Sequence, residues 1–433
     1  MLSMNINFKD LEKNKENANE PKKGNSFYHG EIPNFDKENL TNIFFYNNKY
    51  HCLYLEKDSN KLFRLTSNDL LNYESSEVEL SETLEISSIK LGSLIDTHEG
   101  ILLFYIQKVG EISEISIGKI NDKKIDILYK NIIDTDKLVD VDLSKLNNPF
   151  AFKLNNFYYL LIGTSDTVQN LGKILVLKSK DLRKFDCIFE IGPFETFGES
   201  VENPSYCLTS GKDVIFYTSV FYKENKIIKE NNYMILNIDF ENLDFSVLKV
   251  GKIDINSDLL MPKFFLDSAL NPSMIGLIKG EEFLLSYPRK IVIEKDKFIQ
   301  KPSKSIQKIM NKRNVYNENQ LLSLNSLVAI NAEGDFKLDF LNTHNEEIIS
   351  ILFNEGRLYF KNKDKVVSSN CKYNDLTLFM FIDRFSIEIF INHGVETFTS
   401  EVDFDDDKFF IKVLNSKSIK SMSYNGLRDA SNE

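Results

Sequence analysis

Short apolar runs rich in Phe, Tyr, Ile, Val and Leu recur along the whole chain, separated by clusters of Asn, Asp, Gly, Lys and Ser. Residues 42–54 (NIFFYNNKYHCLY), 100–107 (GILLFYIQ), 156–162 (NFYYLLI) and 213–219 (DVIFYTS) are examples. β-Branched and aromatic side chains suit the pleated, half-buried surface of a sheet, and several runs pair about an Asn, Gly or Lys turn, as hairpins do. Helical periodicity is nearly absent. Only 304–312 (KSIQKIMNK) predicts a short helix, at a place that also reads as a linker. Many short strands with regular turns predict an all-β chain folded as a sandwich, a barrel or a propeller.

A weak internal repeat favours the propeller. Residues 66–73 read TSNDLLNY and residues 178–185 read KSKDLRKF, each with Ser-x-Asp-Leu and an aromatic three residues on. Ser67 and Ser179 lie 112 positions apart, more than one blade, which predicts two nonadjacent blades. The last third changes character. Residues 376–400 (LTLFMFIDRFSIEIFINHGVETFTS) hold two strand runs about Asp383-Arg384 and a turn at Asn392-His393-Gly394. Ile387, Ile389 and Ile391 alternate onto one face, as in a β-sandwich hairpin. The expected organisation is a tail over 1–26, a propeller over 27–295, a linker over 296–312 and a sandwich over 313–433.

The 433 residues are 42% hydrophobic and 27% charged, an ordinary globular composition long enough for two domains. Acids outnumber bases by 64 to 53, and the net charge of -11 disfavours a grip on nucleic acid or on an anionic membrane. Cys52, Cys187, Cys207 and Cys371 lie far apart and the five histidines are scattered, so neither a metal site nor a cofactor is expected. The acidic run at 403–407 (DFDDD) lacks the Gly and spaced ligands of a calcium loop and reads as a solvated edge. No stretch reaches the ~18 apolar residues of a membrane helix. Residues 1–26 show no apolar core of a signal peptide, so a cytoplasmic location is expected.

The segment Ile382-Asp383-Arg384-Phe385-Ser386-Ile387-Glu388-Ile389-Phe390 resembles a hairpin of glycoside hydrolase family 32, the family of invertases, fructanases and sucrose-6-phosphate hydrolases. Tyr287-Pro288-Arg289 with Gln300-Lys301-Pro302 is similar to that family's linker motif, and the resemblance runs over nearly the whole chain. It implies a five-bladed β-propeller followed by a C-terminal β-sandwich, glycosidase chemistry of the β-fructofuranosidase type and a fructosyl sugar as ligand. Tyr28-His29 and Lys49-Tyr50-His51 flank, without a gap, the segment in which the family carries its nucleophilic Asp, and here Asn39 stands at that position. The family's Arg-Asp-Pro, whose Asp stabilises the transition state, corresponds to Asn147-Asn148-Pro149. Its Glu-Cys-Pro, with the acid/base, corresponds to Glu202-Asn203-Pro204, so that glutamate is kept. The resemblance places sugar contacts at Asn147, Leu55, Leu91, Gly92, Ser93 and Asp258, and Lys263 replaces a neutral amide.

These departures bear on chemistry. Retaining glycosidases use two carboxyl groups about 5–5.5 Å apart, one as nucleophile and one as acid/base. An amide at Asn39 carries no charge, and loss of an essential nucleophile costs on the order of 10⁶ in rate. A general acid needs neighbouring carboxylates to keep its proton at neutral pH, and beside Asn39 and Asn148 that push on Glu202 is gone. Zero Trp removes every indole platform for a sugar ring. Asp36 lies three residues from Asn39, which on a strand is ~10 Å and the opposite face, so it is expected to be misplaced as a substitute nucleophile. Three functions fit these residues. The leading one is a non-catalytic homologue that binds a fructosyl sugar or a protein partner. The second is an active intracellular β-fructofuranosidase with relocated residues. The third is a pure interaction scaffold.

Overall fold

The computed structural model describes residues 31–427 apart from 33–34, 58–60, 81–87, 110–111, 122, 225, 281–282, 318–319, 364 and 405–406. The tail expected over 1–26 and part of the acidic run at 403–407 lie outside the described residues. The chain is all-β, as the apolar runs predict, and among the described residues the α-helix Lys304–Ile309 falls where the helical periodicity was found. No helix among them is long and apolar enough to cross a membrane.

Residues 35–129 form a nine-stranded sheet made of two antiparallel groups, 35–80 and 89–129, joined by a short parallel pairing of Glu74–Leu80 with Lys124–Tyr129. Residues 147–191 and 200–252 each form a four-stranded antiparallel sheet. Residues 259–302 form a further sheet, and Glu31–Ile32 pairs with its strand Phe283–Leu285. The first strands of these successive groups, Phe35–Leu40, Ile89–Thr97, Asn147–Leu154, Ser200–Thr209 and Leu259–Leu266, contact one another in series. They are therefore the strands on which a central site can be built.

The Ser-x-Asp-Leu repeat is a real structural unit. Ser67 Oγ accepts from the Leu70 N–H at 2.8 Å, and Ser179 Oγ accepts from the Leu182 N–H at 3.0 Å. Leu70 and Leu182 take φ of 67° and 68°, and each turn joins the last two strands of its group. The serine hydroxyl supplies the turn's acceptor, which offsets the cost of a left-handed leucine.

Residues 314–426 form two six-stranded sheets that share one apolar core. Ile387, Ile389 and Ile391 enter that core from one sheet, and Leu338, Ile351 and Phe409 from the other. Each such side chain contributes roughly 1.5–3 kcal/mol on leaving water. The two halves of the chain are joined by a buried polar cluster. Arg289 Nη2 lies 2.6 Å from Glu388 Oε2 and donates to Thr399 Oγ1, while Nη1 reaches Gln300 Oε1 at 2.9 Å and Asp254 Oδ2 at 3.4 Å. Arg289 and Glu388 are fully buried, so each charge depends on the other. Burial pushes the Asp254 carboxyl above its ordinary value, against the pull of Arg289. The two segments that carry the family resemblance thus meet in space. Gly394 completes the joint: at φ 91° a Cβ there would lie 1.7 Å from the Gln300 carbonyl oxygen.

Candidate functional site

Four of the five first strands break register in the same way near their starts. Leu91 and Leu94 pair with Tyr105 and Leu103, Asn147 and Phe150 with Gly163 and Leu161, Glu202 and Ser205 with Thr218 and Phe216, and Leu260 and Lys263 with Leu277 and Ile275. In each case three steps on the first strand oppose two on its neighbour, which is a β-bulge. Pro149, Pro204 and Pro262 fill the third place of three of these bulges, where no ladder bond asks for an N–H. Asn148, Asn203 and Met261 fill the second place with φ of 40°, 50° and 44°. Asn enters this left-handed region more easily than most residues. A bulge re-aims side chains out of the alternating pattern, and the last three of these re-aim them towards one cleft.

That cleft has a volume of about 640 Å³ and is lined by Asn147, Asn148, Glu202 and Asn203, with Leu260 and Met261 across from them. The long hairpin of Lys212–Lys223 and Lys226–Asp239 forms one wall through Tyr222, Ile227, Ile228 and Lys229. Lys229 Nζ sits 2.6 Å from Glu202 Oε2. A carboxylate held in an ion pair has no proton to give to a leaving group. Asn203 Oδ1 accepts from Lys263 Nζ at 2.9 Å. Lys263 is buried, and burial brings its ammonium down to about 7, opposed by the nearby charge of Glu202.

Asn39 and Asn148 grip the same residue. Asn39 Oδ1 accepts from the Leu91 N–H at 2.8 Å, and Asn148 Nδ2 donates to the Leu91 carbonyl at 3.1 Å. Asn39 Nδ2 also donates to Asp36 Oδ2 at 2.6 Å. The expectation that Asp36 lies far from Asn39 is therefore corrected. Phe35 and Leu40 pair with Glu56 and Tyr54, five residues' advance against two, so the extended spacing assumed for this strand does not hold. Both amides use their N–H donors, a role a carboxylate cannot fill.

Several residues expected at the sugar face stand elsewhere. Leu55 and Leu91 are buried in an apolar cluster with Leu53, Leu62 and Leu103 and do not line the cleft. Leu55 shares its face with Leu53 by strand alternation, while Leu91 and Leu94 enter the same cluster from either side of a bulge. Gly92 lies against the next group, where a Cβ would come within 2.4 Å of the Pro149 carbonyl oxygen. Ser93 Oγ accepts from the Ala151 N–H at 2.8 Å, so it joins two first strands. Asp258 accepts from Ser400 Oγ, Asn256 Nδ2 and Lys365 Nζ at 3.0–3.1 Å, and so ties the two halves of the chain together. Asn39 is buried beside the cleft without lining it. The structure brings together Asn147, Asn148 and Glu202, and adds Lys90, Lys229 and Lys279, which the sequence did not single out.

Comparison with known proteins gives a consistent picture. Residues 38–302 match the model of the glycosyl hydrolases family 32 N-terminal domain. A sucrose-6-phosphate hydrolase of Vibrio alginolyticus is 23% identical over 308 residues, 64% of this chain and 61% of that protein, so the match spans less than two thirds of the curated relative. The solved sucrose-6-phosphate hydrolase of Lactobacillus gasseri superposes with a TM-score of 0.79 at 16% identity, over 98% of this chain and 97% of that one. A variant of a Bombyx mori β-fructofuranosidase, solved in complex with sucrose, superposes with a TM-score of 0.76 at 16% identity, over 97% and 98% of the two chains.

Proposed function

The chain belongs to glycosyl hydrolase family 32, and from that premise we propose that it is a non-catalytic, cytoplasmic homologue of the sucrose-6-phosphate hydrolases. Its architecture in this reading is a five-bladed propeller over 27–295, a linker over 296–312 and a sandwich over 313–433. The five strand groups with adjoining first strands, and the return of Glu31–Ile32 to the fifth, support the blades. The two six-stranded sheets about one core support the sandwich.

One observation carries the functional reading. At Asn39 and Asn148, which this reading puts in the places of the family's nucleophile and stabilising carboxylate, both amides donate into fixed partners, Asp36 and the Leu91 carbonyl. Nothing at those two positions offers an anion to an anomeric carbon or to an oxocarbenium-like transition state. Glu202, the third position, is the anionic partner of Lys229. The cleft would then serve as a binding site, for a sugar or for part of a partner protein. Purified protein incubated with sucrose, sucrose 6-phosphate and short fructans should release no fructose above background. Turnover near the ~10 s⁻¹ of ordinary enzymes would overturn the reading.

A second reading rests on Asp36. Its carboxylate reaches Asn39, so the strand does bring an acid close to the nucleophile position. If turnover is found, Asp36→Asn should abolish it, and a variant with full activity would remove Asp36 from consideration.

A further inference from the structure

We propose that the cleft takes an organic anion with an apolar body rather than a neutral sugar. This rests on the non-catalytic reading above and names the class of ligand for the same site.

The charge of the cleft points one way. Three lysines, Lys90, Lys229 and Lys279, line it against one acid, Glu202, and that acid is already engaged by Lys229. Among the described residues neither Lys90 nor Lys279 makes an ion pair. These unpaired cations sit in one concavity of a chain whose net charge is -11, so the local sign opposes the global one. A concave, low-dielectric wall focuses such a field on an anion. The lining is polar at Asn147, Thr218, Asn231 and Ser257, of which Thr218 donates to Asn231, Asn231 donates to the Leu259 carbonyl and Ser257 accepts from Lys365, and it is apolar along the hairpin and the fifth group. Tyr222 and Ile227 on the overhanging hairpin are 53% and 60% exposed, and Leu260 and Met261 face the cleft from the fifth group. Neutral sugars are held by donors and acceptors that pair with each hydroxyl's one O–H and two lone pairs. Here Asn148 Nδ2 is committed to the Leu91 carbonyl and Asn203 Oδ1 to Lys263. The cleft volume of about 640 Å³ lies within the range of small-molecule sites. An acid group would meet the lysines while a ring or short chain covers Tyr222 and Ile227.

Isothermal titration calorimetry with hydrocinnamate, its neutral amide, inorganic phosphate, fructose and sucrose tests this. Hydrocinnamate should bind, with the amide weaker by about tenfold or more, the value of one hydrogen-bonded charge. Phosphate, which lacks the apolar body, should also bind more weakly. Lys90→Gln with Lys279→Gln should bring the acid down to the level of the amide and leave the amide unchanged. Ile227→Asn, on an exposed wall, should weaken both. Equal affinity for acid and amide, phosphate binding as tightly as hydrocinnamate, tighter binding of fructose or sucrose, or no heat with the acid would each overturn the proposal. Fructose release from sucrose on the same preparation would sink the non-catalytic reading, whereas silence in both assays sinks the anion site alone.

Discussion

Restoring a carboxylate at position 39 should destabilise the protein in a pH-dependent way. Asn39 Nδ2 donates to Asp36 Oδ2 at 2.6 Å, and Asn39 is only 6% exposed. In Asn39→Asp that donor becomes an oxygen facing an oxygen. Two ionised carboxylates at such a distance repel by about 4 kcal/mol or more at an effective dielectric of ~20. The alternative is to keep one of them protonated, which at about pH 7 costs roughly 4 kcal/mol against a reference carboxyl near 3.9. The protonated form is the cheaper route at lower pH, and its O–H replaces the lost N–H as donor. Its cost falls by about 1.4 kcal/mol per pH unit, to about 1 kcal/mol near pH 4.5. The sign follows from proton counts. The folded pair binds a proton that the unfolded chain has released, so stability falls as pH rises from the ordinary carboxyl range towards neutrality. Urea unfolding of parent and variant at about pH 4.5 and 7.5 measures this as a midpoint difference that widens with pH. The exchange Asp36→Asn with Asn39→Asp restores one donor and one acceptor, and should recover all but about 1 kcal/mol at both values. A variant as stable as the parent at neutral pH, or equally impaired at both, would refute the account of Asn39.

Further outcomes follow from other buried groups. Burial brings Lys263 down to about 7 in the folded chain against about 10.4 when unfolded, so the unfolded chain binds more protons in between and stability should climb by roughly 5 kcal/mol across that window. Lys263→Met should flatten the climb in urea midpoints and leave the variant the more stable form at about pH 6. Arg289→Met should cost about 3–5 kcal/mol in the same assay, because Glu388 and Asp254 are left as buried unpaired acids, and a loss under about 1 kcal/mol would contradict that. Asn39→Asp with Asn148→Asp should yield only a trace of sucrose hydrolysis, since Glu202 stays paired with Lys229; recovery of even a hundredth of ordinary turnover, about 0.1 s⁻¹, would show the binding shell to be intact.

The strands and the hairpin at 376–391 were legible because period-two alternation is local, and Ile387, Ile389 and Ile391 alternate without interruption. The motifs about Arg289, Gln300 and Glu388 were legible one at a time. Their convergence was not, because 99 residues separate Arg289 from Glu388 and only the fold closes that gap. The bulges do leave a trace in the chain. Pro149, Pro204 and Pro262 stand 55 and 58 positions apart, and 112 positions, about twice that period, separate Ser67 from Ser179. The second group hides the period, because Ser93 stands where the others hold proline. Asp36 was misread because three extra residues in Phe35–Leu40 break the spacing on which face and distance were reckoned. Leu55 and Leu91 read as degraded sugar contacts, yet a place in a buried apolar cluster needs no other reason. Lys90, Lys229 and Lys279 carry no local pattern at all, being three among 53 basic residues that only the packing of three strand groups assembles.

Physical chemistry separates what this chain has kept of its family from what it has lost. Catalytic carboxylates crowded into one cleft repel one another and leave acceptors unpaired, so they detract from folding stability and persist only under selection for turnover. Exchanging two of them for amides would relieve the repulsion and supply donors, and the donors of Asn39 and Asn148 are both in use. The cluster about Arg289 behaves in the opposite way. Any single loss there strands a buried charge, whether Arg289 between two acids or Glu388 and Asp254 without their cation. On the non-catalytic reading proposed above, selection for a folded chain alone would retain Arg289, Gln300 and Glu388 and let positions 39 and 148 drift to asparagine. Lys263 does not fit that account, because a buried lysine is costly and a neutral amide could meet Asn203 Oδ1 equally well. Its ammonium is held between the burial that disfavours the charge and the Glu202 carboxylate that favours it, so what keeps a lysine here is the acid beside it rather than the amide it meets.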